Sequence, residues 1–263
     1  MLEVQNLSVT GKGGATLLER ITFSLDCGSC VGLTGASGAG KTTLIKAIMG
    51  VLDQTCSIAE GQIILDGKNL NELTLTARRE LCGTIIGFIP QNPMTAFDNH
   101  ARIGAQMTET FRVRLRISKQ EAKTLAEETL QKVNLTDTRR IMNAYASQLS
   151  GGMLQRVTMA MLWGLRPRYI LADEPTSALD EENRNLLIRL LKAYPEKAGS
   201  LFLSHDPYVL KMLCDEVMVL ERGKLIEKAE TTQLFSVPAC EWTKKFVSYA
   251  NQGEGGQWVW ETS

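Results

Sequence analysis

The chain has 263 residues, of which 44% are hydrophobic and 22% are charged. That composition is ordinary for a globular protein and excludes intrinsic disorder and collagen-like structure. Lys plus Arg and Asp plus Glu both total 29, so the formal net charge is zero, which argues against a broad basic surface for nucleic acid. The sequence lacks an apolar run of about 18 residues or more, which predicts no membrane span. Its first residues also lack a secretory signal pattern, so we expect a cytosolic chain.

Six cysteines lie at positions 27, 30, 56, 82, 214 and 240. In a cytosolic chain we expect them to be reduced thiols. Cys27 and Cys30 fit the C-x-x-C pattern, but no second pair follows at the spacing of a zinc ribbon. We therefore expect these two residues to belong to a turn between strands, and we expect no transition-metal site in the chain.

The apolar pattern predicts strands that alternate with helices, interrupted by a helical segment. Strands are predicted at 2–9 (with a one-residue slip), 21–25, 31–34, 63–65, 169–172 and 201–204, helices at 44–52 and 186–194, and a hairpin at 217–226. Between about 92 and 150 the pattern is helical, and Ser118 with Glu121 forms a capping box. Such alternation predicts a largely parallel sheet covered by helices. The tail after Thr243, with Trp258 and Trp260, is predicted to be peripheral.

A glycine-rich loop joins the third predicted strand to the first predicted helix. Its sequence matches G-x-x-x-x-G-K-[ST] and reads Gly35-Ala36-Ser37-Gly38-Ala39-Gly40-Lys41-Thr42. Glycines let a backbone wrap a polyphosphate, and the following helix N-terminus adds positive potential. We expect Lys41 to reach the β- and γ-phosphates and Thr42 to bind Mg²⁺ through its hydroxyl, with Thr43 in the same nucleotide-binding segment. A chance glycine-rich turn is the alternative, and the flanking strand and helix argue against it.

The predicted strand at 169–172 runs into two acids, Asp173 and Glu174. In open α/β folds, ligands sit at the carboxyl edge of the sheet. We expect Asp173 to hold Mg²⁺, directly or through water, and Glu174 to orient or deprotonate the attacking water. By itself such a pair is more often a solvated strand end, but together with the phosphate loop it indicates a hydrolytic site.

Another segment lies between the phosphate loop and the acidic pair and reads Leu149-Ser150-Gly151-Gly152-Met153-Leu154-Gln155-Arg156. It resembles the LSGGQ signature of ABC ATPases, with methionine at position 153 where the consensus has glutamine. In that family the signature opens a helix, and its serine and glycine amides face the γ-phosphate held by the other subunit. The resemblance implies this nucleotide-binding role for Ser150, Gly151 and Gly152.

Three more residues match the same family in the same order. Gln91 matches the Q-loop glutamine, which contacts Mg²⁺ or water and faces the membrane subunit. Asp180 ends a D-loop sequence and is assigned to the nucleotide site, and His205 matches the switch histidine that contacts the γ-phosphate. The resemblance therefore implies Glu174, His205 and Gln91 as catalytic residues. The family stacks adenine on an aromatic residue after the first strand, whereas residues 8–11 contain none, so the sequence leaves adenine binding open.

The resemblance covers residues 2–235 and implies an α/β fold, the P-loop ABC ATPase fold. That fold has a RecA-like, mostly parallel sheet core, an antiparallel β subdomain and an inserted α-helical subdomain. The implied domain spans 1–240, with the helical subdomain at about 92–155 and a short C-terminal tail at 241–263. ATP and Mg²⁺ are the implied cofactors.

The implied partners are transmembrane permease subunits and a second ATPase subunit, paralogue or self, in a head-to-tail dimer. A solute-binding protein is implied indirectly, and nucleic acid is not. The implied location is peripheral, on the cytoplasmic face of the cell membrane.

The sequences at 91–98 and 151–156 resemble the peptide and nickel importers within this family. The stretch at 237–243 is a shortened form of one found in peptide importers, and the whole is most similar to the first of the two ATPase subunits of nickel importers. We therefore expect ATP-driven uptake of nickel or a metal chelate, with di- or oligopeptide import as the alternative.

Two other functions are less favoured by the sequence. A nucleic-acid-associated ABC ATPase needs a long coiled coil before the signature, and no sustained heptads are present. A nucleotide-dependent module without hydrolysis is disfavoured by the intact Lys41, Glu174 and His205. The sequence leaves open the transported solute and whether the dimer is homomeric.

Overall fold

The computed structural model describes residues 1–194 and 197–252, and these form two compact units. One unit contains Met1–Arg79 together with the described residues from Gly199 onward, and the other contains Glu80–Ala198. Within the described ranges, every helix is too short or too polar to cross a bilayer. Trp258 and Trp260, which the sequence analysis singled out, lie outside the described residues.

The elements of the chain follow the predicted alternation. In the first part of the chain they are β1 (Leu2–Thr10), β2 (Thr16–Leu25), β3 (Cys30–Gly35), α1 (Lys41–Met49), β4 (Ser57–Leu65), β5 (Lys68–Asn69) and α2 (Leu75–Leu81). The middle contains β6 (Ile86–Ile89), α3 (Ile103–Leu115), α4 (Lys119–Lys132), α5 (Thr138–Asn143), α6 (Gly151–Leu165), β7 (Tyr169–Asp173) and α7 (Glu181–Lys192). The last part contains β8 (Gly199–Leu203), α8 (Pro207–Leu213), β9 (Glu216–Glu221), β10 (Lys224–Glu230), α9 (Thr231–Ser236) and α10 (Glu241–Gln252).

In the first unit, an antiparallel sheet has the strand order β2-β1-β4-β5. The predicted slip in β1 is confirmed, because the register against β2 shifts between Val4 and Leu7. Asn6 sits at this shift with a left-handed φ of 49°. The shift moves the buried side from even to odd positions, so Val4 and Leu7 are both fully buried.

The other strands of this unit are mainly parallel. β3 pairs in parallel with both β8 and β9, and β10 returns antiparallel to β9. The predicted hairpin is confirmed, and its turn residues Arg222 and Gly223 have φ values of 47° and 79°, as a two-residue hairpin turn requires. Parallel pairing places the carboxyl ends of β3 and β8 at one edge of the sheet.

In the second unit, β6 and β7 pair in parallel, and the predicted helical segment forms α3 to α6. Phe111 of α3 is fully buried and packs against Gly164 of α6. The predicted capping box opens α4, because Glu121 N donates to Ser118 Oγ and Ser118 N donates to Glu121 Oε2. The Ser118 hydroxyl and backbone amide hold the pKa of the Glu121 carboxyl below its ordinary value.

Residues 241–252 form α10, and its residues Thr243, Phe246 and Val247 are buried, which differs from the predicted peripheral tail. Phe246 is 1% exposed, and its ring stacks on Trp242 with centroids 5.1 Å apart. The spacing of Trp242, Phe246 and Val247 gives this helix an apolar face.

The six cysteines, all within the described ranges, are thiols. Cys27 lies in the turn before β3, as predicted, whereas Cys30 is the first residue of that strand rather than part of the turn. Among the described residues, no group of three or more His, Cys, Asp or Glu side chains is arranged to hold a metal ion.

Candidate active site

The predicted phosphate loop, residues 35–42, connects β3 to α1 in the first unit. Gly35 and Gly40 have φ values of 146° and 104°, which residues with a side chain rarely adopt. A Cβ at Gly35 would overlap the carbonyl of Leu220, and a Cβ at Gly40 would lie 2.7 Å from the carbonyl oxygen of Leu17. Glycine is therefore required at both positions by backbone conformation and by the space around them.

Lys41 is the first residue of α1 and is only 7% exposed. Its Nζ donates to the carbonyl oxygens of Gly35 at 2.8 Å and Ala36 at 2.9 Å. The loop therefore closes around the ammonium group. Because Lys41 is buried but bonded to neutral carbonyls, an incoming anion can gain a strong charge interaction with it.

The N-terminus of α1 has no side-chain cap, since its N-cap residue is Gly40. The first amides of a helix have no partner within the helix, and they favour an anion. Thr42 is exposed and Thr43 is partly exposed, so both lie at this open end. Ser37 and Gly38 are exposed at the tip of the loop, which leaves the loop accessible from outside.

The β9–β10 hairpin supports the back of the phosphate loop, and the sequence analysis missed this role. Gly223 N donates to the carbonyl of buried Ala39 at 3.0 Å, and Glu19 N donates to the carbonyl of Gly223 at 2.8 Å. A Cβ at Gly223 would lie 2.7 Å from the carbonyl oxygen of Leu17. The sequence signal for Gly223 indicated only a hairpin turn, because its contacts join distant segments.

His205 lies at the same sheet edge as the phosphate loop. Leu33 of β3 is the register partner of Leu203 of β8, and each strand runs toward this edge. Gly35 lies two residues after Leu33, and His205 lies two residues after Leu203. Asp206 then begins α8, because its Oδ1 accepts from the amide of Tyr208 at 2.8 Å.

In the second unit, Gln91 and Glu174 meet directly. They follow the parallel strands β6 and β7, where Ile89 is the register partner of Ala172. Gln91 Nε2 donates to Glu174 Oε2 at 3.3 Å. Glu174 has a left-handed φ of 45°, and the amide and hydroxyl of Ser177 both donate to its carbonyl. This turn fixes the direction in which the Glu174 carboxylate leaves the strand.

The predicted signature residues begin α6. Ser150 is the N-cap, and its Oγ accepts from Met153 N at 3.2 Å. Gly151 is exposed, and a Cβ at this position would meet no atom within 4 Å. Arg156, one turn further, donates to the carbonyls of Gly152 and Asn134. Burial lowers the pKa of the Arg156 guanidinium, and the charge of Glu182 opposes that shift.

Asn183 links the signature to the predicted D-loop, and sequence analysis did not identify it. Asp180 caps α7 by accepting from Asn183 N at 2.8 Å, and the Asn183 side chain donates to both carboxylate oxygens of Asp180. A Cβ at Gly152 would lie 2.8 Å from Cγ and Oδ1 of the same Asn183. The amide group of Asn183 therefore fills the space between Gly152 and Asp180.

The residues assigned to Mg²⁺ have suitable chemistry for that ion. Thr42, Gln91 and Asp173 offer hydroxyl, amide and carboxylate oxygens, and Mg²⁺ prefers oxygen ligands. Asp173 is the last residue of β7 and is partly exposed, so its carboxylate lies at the carboxyl end of that strand.

Comparison with known proteins agrees with this geometry. The family model described as ABC transporter matches residues 18–177. The chain is 35% identical to the probable D,D-dipeptide transport ATP-binding protein DdpD of Escherichia coli K12, over 92% of this chain and 76% of that protein. It is 33% identical to the metal-staphylopine import system ATP-binding protein CntD of Staphylococcus aureus Mu50, over 94% of this chain and 92% of that protein.

A solved structure shows the same fold. It is the dimeric, post-hydrolysis state of the ATP-binding cassette MJ0796 with ADP and Pi, with 26% identity and a TM-score of 0.77 over 88% of this chain and 99% of that chain. This similarity confirms the predicted P-loop ABC ATPase fold. The chain therefore belongs to the ABC transporter family, as an ATP-hydrolysing subunit.

Proposed function

We propose that this chain drives an importer whose solute is a short peptide or a peptide-like metal chelate. The observation that carries the ATPase part is the phosphate loop, in which Lys41 is buried at the uncapped N-terminus of α1. The solute class rests on the relatives, which are named for dipeptide transport and metal-staphylopine import. Nickel, the solute expected from the sequence, is one specific case of metal import. Peptide import has at least equal support.

In this proposal, the first unit binds the triphosphate of ATP. Lys41 transfers hydrogen bonds from the Gly35 and Ala36 carbonyls to the β- and γ-phosphates, and the α1 amides bind phosphate oxygens. His205 contacts the γ-phosphate from the same sheet edge. Mg²⁺, when bound, neutralises phosphate charge, and Thr42, Gln91 and Asp173 are its proposed ligands.

The second unit supplies the groups that activate water. Glu174 accepts the proton of the attacking water, and Gln91 orients the Glu174 carboxylate through its 3.3 Å hydrogen bond. The left-handed backbone at Glu174 aims this carboxylate. Gln91 also transmits nucleotide-dependent motion to the membrane partners as a population shift.

Two ATPase subunits complete each other's sites. Ser150, Gly151 and Gly152 of one subunit face the γ-phosphate bound by the other, and Asp180 lies at the same junction. The dimer works on transmembrane permease subunits at the cytoplasmic face of the membrane. A solute-binding protein selects the solute, so this chain need not contact it.

The catalytic assignment is tested by Glu174→Gln in the purified protein. We expect ATP hydrolysis to fall by about 10²–10⁴-fold, the usual contribution of a general base, while ATP binding and dimer closure remain. Glu128→Gln is the matched control, because Glu128 is exposed on α4. If Glu174→Gln hydrolyses ATP as fast as that control, the role of Glu174 is wrong.

The solute is tested by uptake in the source cell. Labelled dipeptide and labelled nickel are supplied to cells that express either the wild-type chain or Glu174→Gln. We expect the variant to lose dipeptide uptake. Loss of nickel uptake alone would assign the chain to nickel import instead, and unchanged uptake of both would exclude both solutes.

A further inference from the structure

Two cysteine side chains meet where β3 begins and α8 ends, away from the residues assigned to ATP. The Sγ atoms of Cys30 and Cys214 are 3.8 Å apart. Cys214 is buried, Cys30 is partly exposed, and Cys27 is exposed in the preceding turn. A disulfide bond is about 2.05 Å long, so the two sulfur atoms are neighbours that would have to move about 1.8 Å closer to form a bond.

Hydrogen bonds hold the two segments that carry these cysteines side by side. Cys30 N donates to Asp215 Oδ2, and Asp215 N donates to the carbonyl of Cys30, both at 2.8 Å. They lie next to the parallel pairing of Val31 with Glu216. Cys214 is the C-cap residue of α8 and comes just before Asp215 with an extended backbone, so the two cysteines lie on neighbouring segments of the chain.

Both sulfur atoms lie on the same face of β3. Alternate residues of a strand share a face, so Cys30 and Gly32 point the same way. A Cβ at Gly32 would lie 3.1 Å from the Sγ of Cys214, so the buried sulfur rests over that glycine. The Thr231 hydroxyl donates to the carbonyl of Cys214 at 2.6 Å, which holds its backbone in place.

The two thiols differ in accessibility, because Cys30 is partly exposed and Cys214 is buried. The contact with the Cys30 thiol, together with burial, raises the pKa of the Cys214 thiol well above its ordinary value. A thiol with a raised pKa forms little thiolate, and thiolate is the attacking species. The partly exposed Cys30 is therefore the entry point, and Cys214 acts second.

We propose that Cys30 and Cys214 are a reversible thiol–disulfide site that takes a low-molecular-weight disulfide as its oxidant. The Cys30 thiol loses its proton to solvent and attacks one sulfur of the oxidant, and the other half leaves as a thiol. The Cys214 sulfur then loses its proton and attacks the Cys30 sulfur, displacing the second thiol. Two protein thiols are oxidised and one small disulfide is reduced to two thiols.

The bond would connect two elements that lead to the ATP site. β3 runs from Cys30 to the phosphate loop, and α8 lies between its cap residues Asp206, which follows His205, and Cys214. A disulfide at their far ends pins these elements together and closes a long loop of the chain. Long closed loops restrict the unfolded state strongly, so the oxidised form should be the more stable one.

The test treats the purified full chain with glutathione disulfide and maps its thiols. We expect a tryptic peptide pair that joins Cys30 to Cys214, loss of two hydrogen atoms by mass, and a rise in Tm of about 5–15 °C. Dithiothreitol should reverse all three changes. Cys27→Ser is the matched control and should keep them, whereas Cys30→Ser and Cys214→Ala should lose them.

Three results would overturn the proposal. One is a Cys27–Cys30 bond in place of the Cys30–Cys214 bond. Another is glutathione that stays attached to Cys30 without displacement by Cys214. The last is a wild-type chain whose thiols are unchanged while the protein is folded. Because the mapping uses the wild-type chain, poor folding of a cysteine variant does not affect these outcomes.

Discussion

Alanine at Gly151 and alanine at Gly152 should have different effects, although both glycines lie in the first turn of α6. A Cβ at Gly151 meets no atom within 4 Å, whereas a Cβ at Gly152 lies 2.8 Å from Cγ and Oδ1 of Asn183. Asn183 is itself held by Asp180 through three hydrogen bonds. Gly152→Ala therefore has to displace a fixed side chain, and Gly151→Ala does not.

The expected magnitudes follow from these contacts. Alanine is favoured over glycine in a helix by up to about 1 kcal/mol, so Gly151→Ala should not lower the free energy of unfolding. Overpacking costs about 1–3 kcal/mol, so Gly152→Ala should lower Tm by about 2–12 °C. Asn183→Ala in the Gly152→Ala background should relieve that clash. The double variant should therefore recover part of the lost Tm.

Gly151→Ala should lower ATP hydrolysis strongly, although we expect it to leave the stability of the protein unchanged. If the signature faces the γ-phosphate of a second subunit, as we propose, a methyl group at Gly151 would occupy the space that this phosphate needs. Activity should then fall by about 100-fold, the scale of a misplacement of about 1 Å. Thermal unfolding and steady-state hydrolysis measured on the same samples separate the two effects. Full activity of Gly151→Ala would refute the proposed close approach of the γ-phosphate to the signature. An unchanged Tm of Gly152→Ala would refute the argument that Asn183 leaves no room for a side chain at Gly152.

Three further predictions concern the first unit. Arg78 is 8% exposed and donates to the carbonyls of Ala47 and Leu70, so Arg78→Met should lower the free energy of unfolding by about 2–4 kcal/mol in urea titrations, whereas Met at exposed Arg79 should cost little. Burial opposes ionisation of Glu227, but the amides of residues 239 and 240 and the hydroxyl of residue 243 outweigh it and lower the pKa of this carboxyl. The stabilisation by the ionised Glu227 carboxylate is present above the pKa of the unfolded state, about 4.3, and is lost below it as the folded carboxyl protonates. The Tm of the wild type should therefore fall more steeply with acid than the Tm of Glu227→Gln. Gly11→Tyr would add the aromatic ring that the first strand lacks. It should lower KM for ATP by about 2–10-fold through stacking on adenine. An unchanged KM would mean that adenine lies elsewhere.

The features that sequence analysis predicted well are set by neighbouring residues. The phosphate loop, the capping box at Ser118 and the turn at Arg222 and Gly223 each depend on short-range backbone rules. The slip in β1 was also readable, because the apolar alternation changes phase within a few residues. For these elements the local preferences and the final fold agree.

Contacts between distant segments could not be predicted in this way. Nothing near Asn183 in the sequence shows that its amide lies against Gly152, and nothing near Cys30 shows that Cys214 is its neighbour. The packing of α10 was missed because three apolar side chains decide it, among many polar ones. Tertiary packing determined all three, and a single sequence carries no direct signal for it.

The support of Ala39 by Gly223 has a consequence for the order in which the protein is built. The phosphate loop is synthesised early, but its backbone pairs with Leu220 at Gly35 and with Gly223 at Ala39, both far later in the chain. Contacts at such sequence separation form late, since a long intervening chain has to close first. A nascent chain that has emerged only through β8 therefore lacks the contacts that Leu220 and Gly223 make with this loop. The capacity to hold nucleotide should arise abruptly, when the last hairpin leaves the ribosome.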